Sequence, residues 1–356
     1  MFRLLDSGLP KSPVYPSNLE ELGYFVNEND EIRNIENPKA YSQFLLSKND
    51  RSLGLKIIRL PIGAKSSEPH VPIFVSSDIH SKKRVLVLFY DHGQDLGILS
   101  YRIICGKGGI SQGSVVDLVK YLQSKRSSAE VDDSPAIILA NLGQLRWWRR
   151  GKKAITQTSW FAIPSKSLVD HSYRFDPERN TIPYNRDTTQ HVEYIFNSVI
   201  TELTNPAAKL DIIGVSTGAV EVIAFLDKSG NWEKYKSRIS AFTPIASYHS
   251  VKEITNENFG AWLTNRGRAY IVSPEPCGYF IAGPQGSEES NATGCPTFSL
   301  GEPFYPEKLL AVGYKLIIDW FEEVASDPHY MNPEIFRIEF LTQGNNEDVV
   351  TADTTS

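Results

Sequence analysis

The sequence predicts an α/β protein, with one mostly parallel central sheet and helices on both faces. Three observations predict it. Arg84–Tyr90 (RVLVLFY) and Ala136–Ala140 (AIILA) are continuous apolar runs, the pattern of strands buried on both faces. Such runs alternate with segments whose apolar residues recur at helical spacing, which implies parallel strands joined by crossover helices. A Gly-Val-Ser-Thr-Gly run at 214–218 ends one strand and opens one helix.

The elements follow in order. Residues 1–52 form a polar, mixed arm expected to dock on the body through Leu19, Leu22, Tyr24 and Phe25. The body is expected to occupy 53–340, and the Thr-rich segment 341–356 to be a disordered tail. Leu53–Leu60 and Val71–Ser76 read as a hairpin. Strand 84–90 leads through a Gly-rich connection to a helix starting at Ser114, with Ser114 and Asp117 matching a capping box. After strand 136–140 a long loop rich in Trp and cations runs to about residue 185. A helix carrying Val192, Ile195, Phe196, Val199, Ile200 and Leu203 on one face precedes the strand Leu210–Val215 and the helix Thr217–Leu226. Arg238–Ala246 and Arg268–Ser273 read as further strands. Pro306–Ala325 reads as the last helix, with Pro in its first turn.

Composition narrows the function classes. About 41% of the 356 residues are hydrophobic, enough for one large core. The net charge of −5 gives no bulk attraction to nucleic acid or anionic lipid, so any nucleic-acid contact must be local. Three scattered cysteines, Cys105, Cys277 and Cys295, fit a reducing compartment and make no metal-ligand spacing. No apolar leader or membrane-length run is present, so a soluble intracellular protein with no membrane partner is expected. Cys105-Gly106-Lys107-Gly108-Gly109 lacks the spacing of a phosphate-binding loop, and neither cofactor nor metal is expected.

The 214–218 run is the sharpest motif. A GxSxG run between strand and helix is the nucleophile elbow of an α/β-hydrolase-like fold. The turn lifts Ser216 above the sheet edge and aims the Thr217 N–H, at the helix start, as an oxyanion donor. Gly93, in Asp91-His92-Gly93-Gln94 after strand 84–90, is a candidate for the second donor or simply a turn residue. A hydrolase also needs a base and an acid. After Ser216 only His249 and His329 remain as bases. His249 follows a strand, so the candidate triad is Ser216, His249 and Glu275. Glu302 falls where such an enzyme would hold its histidine, and weak or absent hydrolysis is therefore expected. The segment Arg146-Trp147-Trp148-Arg149-Arg150-Gly151-Lys152-Lys153 holds five cations and two tryptophans. Such a run either grips a phosphate backbone while stacking on bases, or packs its rings inward and leaves its cations solvated.

Several short motifs in a fixed order resemble one family. They are Leu22-Gly23-Tyr24-Phe25, Gln94-Asp95-Leu96-Gly97, Gly108-Gly109-Ile110, Asn141 with Gly143-Gln144, Trp147-Trp148, Gly214-Val215-Ser216 with Gly218-Ala219, Arg268-Ala269-Tyr270-Ile271-Val272-Ser273, and Gly294-Cys295-Pro296 with Gly301-Glu302-Pro303. Over about residues 15–335 the chain resembles the Arb-type domain, named after the Argonaute-binding protein of the fission-yeast small-RNA chaperone complex, and looks most like stand-alone fungal members. The resemblance implies an α/β-hydrolase-like domain acting mainly as a non-catalytic interaction module in RNA silencing and heterochromatin. Argonaute-type or chromatin-silencing proteins are the implied partners, small RNA (siRNA) through 146–153 is a further one, and the nucleus is the implied compartment. The intact elbow keeps two alternatives open, a serine hydrolase of esterase or amidase type and a ligand-binding scaffold without turnover.

Overall fold

The computed structural model describes residues 18–21, 24–28, 32–35, 53–106, 108–125, 134–163, 175–287 and 290–334. The expected tail at 341–356 lies outside them. β1 (Tyr24–Val26) and β2 (Ile32–Asn34) pair as a small antiparallel hairpin. Leu19 and Tyr24 from this region pack on Ile98 and Ile104 of the body. β3 (Leu55–Leu60) and β4 (Val71–Ser76) form the expected hairpin. Then come β5 (Arg84–Phe89), β6 (Ala136–Leu139), and a second hairpin of β7 (Arg146–Trp148) and β8 (Lys153–Ile155). β9 (Lys209–Val215), β10 (Ile239–Ile245), β11 (Ala269–Ile271), β12 (Phe280–Ala282) and β13 (Thr297–Ser299) complete the set.

Nine of these strands make one sheet in the order β12-β13-β11-β10-β9-β5-β6-β4-β3. β6, β5, β9, β10, β11 and β13 run parallel; β3, β4 and β12 at the edges run antiparallel to their neighbours. The fold is α/β-hydrolase-like, with a mostly parallel sheet, helices on both faces and the elbow serine after the central strand β9.

The apolar runs are continuous because each face meets its own core. Val85, Val87 and Phe89 of β5 face one core with Leu210 and Ile212 of β9, under Val192, Phe196 and Val199 of the helical segment 188–203. Leu86 and Leu88 face the other, under Leu118 and Leu122 of the helix Val116–Gln123 and Ile317 and Phe321 of Leu309–Ser326. Phe196 stacks between Phe89 and Phe225, with ring centroids 5.6 and 4.4 Å away. Each such side chain stabilises the fold by about 1.5–3 kcal/mol through burial.

Three local expectations change. No capping box forms at Ser114. The helix starts at Val116, and among the described residues Ser114 Oγ accepts only from the Val116 N–H at 3.4 Å. The Gly-rich connection before it contains two short helices, Tyr101–Ile104 and Gly109–Gly113, the first capped by Ser100. The long loop after β6 contains the β7–β8 hairpin and the helices Gln157–Phe161 and Pro177–Asn180, because buried Trp147 and Ala154 pair across the hairpin and pin it to the body. Among the described residues no helix is long and apolar enough to cross a membrane.

Candidate functional site at the strand-to-helix turn

Chain order in the sheet creates a crevice. After β5 the chain crosses to β6 on one side; after β9 it crosses to β10 on the other. The carboxyl ends of β5 and β9 therefore flank a topological switch point, where open α/β sheets bind ligands. Asp91, His92 and Gly93 follow β5, and Ser216 and Thr217 follow β9, whose Gly214 pairs with Phe89.

Ser216 has φ 51° and ψ −119°, a left-handed conformation rare outside glycine. Its two glycine neighbours are steric requirements. A Cβ on Gly214 would lie 2.5 Å from Ala219 Cα, and one on Gly218 would lie 2.1 Å from Phe89 O. The Ser216 N–H donates to Ile245 O at 2.8 Å, tying the turn to β10. Ser216 is half-buried, and its hydroxyl engages no protein group among the described residues.

The expected second oxyanion donor is otherwise engaged. The Gly93 N–H donates to the Asp91 carboxylate at 3.0 Å, closing a side-chain turn. The Thr217 N–H lies in the first turn of its helix, where no intrahelical carbonyl is available to it.

The Ser216–His249–Glu275 relay is not assembled. His249 is buried, and its Nε2–H donates to Thr293 O at 2.9 Å, which leaves Nδ1 to accept from Ser247 Oγ at 2.7 Å. Both ring nitrogens are occupied, and burial pushes the imidazole pKa down, so the ring is held neutral and turned away from proton exchange with Ser216. Glu275 follows β11 as expected, but its hydrogen bonds run through its main chain, to Ser273 and Ser299. No hydrogen bond or ion pair among the described residues joins its carboxylate to His249. Glu302, just after β13, accepts from the Phe304 and Tyr305 N–H groups and from Lys308 Nζ at 3.0 Å. These donors hold its carboxyl below the ordinary range despite partial burial. Glu302 thus fixes the entry to the last helix. His329 sits past that helix, with its main-chain N–H bonded to Asp327.

Sequence reasoning missed the ring that does reach the elbow. His92 Nδ1 lies 2.7 Å from Thr217 Oγ1 and 3.4 Å from Asp91 Oδ1. Thr217 Oγ1 is also 3.3 Å from Asp91 Oδ1 and 3.5 Å from Tyr248 OH. The His-Gly dipeptide after β5 was the available signal, but it pointed to the glycine N–H and not to the imidazole.

A second candidate surface is the β7–β8 hairpin. Trp147 is 3% exposed, packs at a tilt against the His70 ring with centroids 5.1 Å apart, and accepts at its carbonyl from Asn180 Nδ2. Trp148 is half-buried against Gly151, with Lys153 Nζ 5.6 Å from its ring. The Arg146 guanidinium lies 4.9 Å from the Phe175 ring and donates to Gln157, and burial lowers its pKa. Arg149, Arg150, Lys152 and Lys153 are exposed and enter no ion pair among the described residues. In the hairpin one ring is buried as an anchor and four cations face solvent.

The model of the Arb2 domain matches residues 15–53 and 50–277, most of the chain. The chain belongs to the Arb2 domain family. No curated protein matches the sequence. Similar solved structures include a dienelactone hydrolase-like promiscuous phosphotriesterase from metagenomic libraries, at 8% identity and TM-score 0.35, covering 76% of this chain and 98% of that one. An arylesterase matches at 12% identity and TM-score 0.33, covering 80% and 88%. A thermostable carboxyl esterase from Bacillus coagulans matches at 7% identity and TM-score 0.29, covering 59% of this chain and 48% of that one, so the chain spans about half of that esterase.

Behind the crevice this Arb2 domain carries a buried polar chain. Asp95 accepts from Gln144, whose amide oxygen accepts from Asn141 Nδ2; the Asn141 N–H donates to His191 Nε2, and His191 Nδ1 donates to Asn185 Oδ1 at 2.7 Å. Burial pushes His191 down to about 3, so it stays neutral. The Gln94–Gly97 and Asn141–Gln144 motifs thus serve to hold the carboxyl ends of β5 and β6. Among the described residues no cluster of three His, Cys, Asp or Glu side chains could hold a metal ion.

Proposed function

We propose that this Arb2 domain is an interaction module of small-RNA-directed silencing, acting in the nucleus, and not a hydrolase with the usual triad. The observation that carries the reading is Glu302. The place after β13, where a hydrolase of this fold holds its base, contains a carboxylate bonded to two backbone N–H groups and a lysine. Family membership supplies the silencing context, with Argonaute-type or chromatin proteins as partners. The hairpin of Arg149, Arg150, Lys152 and Lys153 beside Trp148 supplies a local contact for single-stranded small RNA, which the net charge of −5 does not favour elsewhere.

Fluorescence anisotropy with a labelled short RNA across a salt series tests it. Affinity is expected to fall with salt by a logarithmic slope of about −0.7 per phosphate neutralised. Changing the four exposed cations together to Ser is expected to abolish it without lowering the melting temperature. No binding at low salt removes the RNA contact and leaves protein partners; binding untouched by the change places it elsewhere.

A second reading, a serine hydrolase of esterase type, is favoured by one observation. Ser216 is held at φ 51°, and such strain persists at functional sites because the surroundings enforce it. The two readings use different surfaces and do not exclude each other.

A further inference from the structure

We propose that Ser216 is a nucleophile whose proton acceptor is His92, delivered from the loop after β5, and that the crevice takes a small acyl or phosphoryl ester. The proposal rests on the hydrolase reading and names the base which that reading lacks.

Of the histidines at the carboxyl edge, two have no nitrogen to offer. His191 is closed at both nitrogens by Asn141 and Asn185, and His249 by Ser247 and Thr293. His92 differs. Only Nδ1 is engaged, with Thr217 Oγ1 at 2.7 Å and Asp91 Oδ1 at 3.4 Å, and its side chain is 59% exposed. Two oxygens, one of them anionic, face Nδ1, so the neutral ring carries its hydrogen there and leaves a lone pair on Nε2. Nε2 engages no described residue, and neither does the hydroxyl of Ser216, the residue next to Thr217. An unengaged hydroxyl and an unengaged basic nitrogen thus lie on adjoining loops at the switch point, after β9 and β5, whose residues meet through His92 and Thr217.

Asp91 is the positioning residue. Its carboxylate accepts from the Gly93 N–H at 3.0 Å and from the Thr217 hydroxyl at 3.3 Å, which fixes it beside the His92 ring. The Thr217 N–H, at the start of a ten-residue helix, is the donor for developing negative charge. Tyr248, exposed and reaching Thr217 Oγ1, closes one side.

The step balances with these groups. Ser216 Oγ bonds to the carbonyl carbon as its proton passes to His92 Nε2, and the Thr217 N–H receives the oxyanion. The intermediate expels the alkoxide, which takes the proton from His92, leaving acyl-Ser216 and an alcohol. With a fluorophosphonate, the Ser216 O–P bond forms, P–F breaks, fluoride leaves, and the proton passes through His92 to solvent.

The test uses the purified full chain and a fluorophosphonate with a short alkyl chain, with labelling rates followed across pH and the adduct located by mass spectrometry. Wild type is expected to label at Ser216 with a rate that rises with pH to a plateau, and Ser216→Ala to abolish the label. His92→Asn keeps an amide near the Nδ1 position for Thr217 but removes Nε2. It is expected to label ~100-fold more slowly or worse, with the pH rise gone, given the ~10²–10⁴ usual for general-base help. Its melting temperature is expected to be unchanged, since the ring is largely exposed. In His92→Ala, added imidazole is expected to restore part of the rate, a rescue that a purely structural role would not show. Labelling of His92→Asn at the wild-type rate and pH profile overturns the role of His92 and leaves the hydrolase reading standing. No labelling of the wild type overturns both.

Discussion

Two glycines and one histidine show how single residues decide this site. A valine at Gly218 would drive its Cβ into the carbonyl of Phe89 in the central strand, and one at Gly214 into the backbone of Ala219. Neither obstacle is a flexible side-chain end, so relief requires moving β5 or the helix. Each substitution is expected to cost at least about 3 kcal/mol, read as a lower urea midpoint, the upper end of what overpacking does in a well-filled core. Wild-type midpoints for both would remove the steric account of the elbow. His191 makes a prediction of different form. Its folded pKa, about 3, lies below the ordinary 6.5 of the unfolded chain. Below pH 6.5 the unfolded chain takes up a proton that the folded chain refuses, so the contribution of His191 is complete above that pH and is lost as pH falls toward 3. At about 1.4 kcal/mol per unit, the stability gap between wild type and His191→Gln is expected to shrink by ~2 kcal/mol from pH 7 to pH 5. A gap that does not change with pH would mean that His191 is not held neutral.

At the scale of elements, the β7–β8 hairpin separates what packing holds from what solvent holds. Trp147 anchors it, and Trp147→Ala is expected to cost ~3–5 kcal/mol, as for other buried aromatic truncations, with a melting temperature lower by many degrees. A melting temperature close to wild type would show that the hairpin docks without it. The hairpin also marks how much the sequence could tell. Strands β5, β6, β9 and β10 and the elbow were legible, because burial on both faces and a GxSxG turn leave marks within a few residues. Trp147 and Trp148 were legible as important, but not as a strand, since three residues of β7 paired with three of β8 carry no periodic signal. The partners of the candidate base and acid were illegible for a related reason. His249 and Glu302 occupy promising positions along the chain, yet their orientations depend on Thr293, Ser247, Lys308 and two backbone N–H groups. His92 reaches Thr217 only because β5 and β9, more than a hundred residues apart in the chain, are neighbours in the sheet. Such contacts leave no local trace.

At the scale of the whole molecule, one charged cluster joins the centre of the sheet to the last helix. Arg84 at the start of β5 donates to Asp211 of β9 at 2.8 Å and to Glu322 of the helix Leu309–Ser326 at 2.9 Å. It also donates to the carbonyl of Phe321 at 3.2 Å. Asp211 is only 1% exposed, and among the described residues one of its oxygens, like one of Glu322, has no hydrogen-bond partner. A charge so placed is tolerable only while its counter-charge is present. Removing Arg84 alone, as Arg84→Met, strands a buried carboxylate and is expected to cost ~3–5 kcal/mol. Removing Arg84 and Asp211 together, as Arg84→Met with Asp211→Leu, leaves apolar groups of similar volume between β5, β9 and the helix, with Glu322, whose side chain is 32% exposed, reaching solvent. The double variant is therefore expected to recover most of that loss, since replacing a buried pair by packed apolar groups is often neutral. Urea unfolding of the two single variants and the double variant reads this directly. A double variant as unstable as the sum of the singles would show that the arginine acts through its bond to Phe321 and the helix end. Recovery would show that the cluster's cost lies in its isolated charge, and that the last helix is held to the sheet chiefly by Leu310, Ile317, Phe321 and their neighbours in the core.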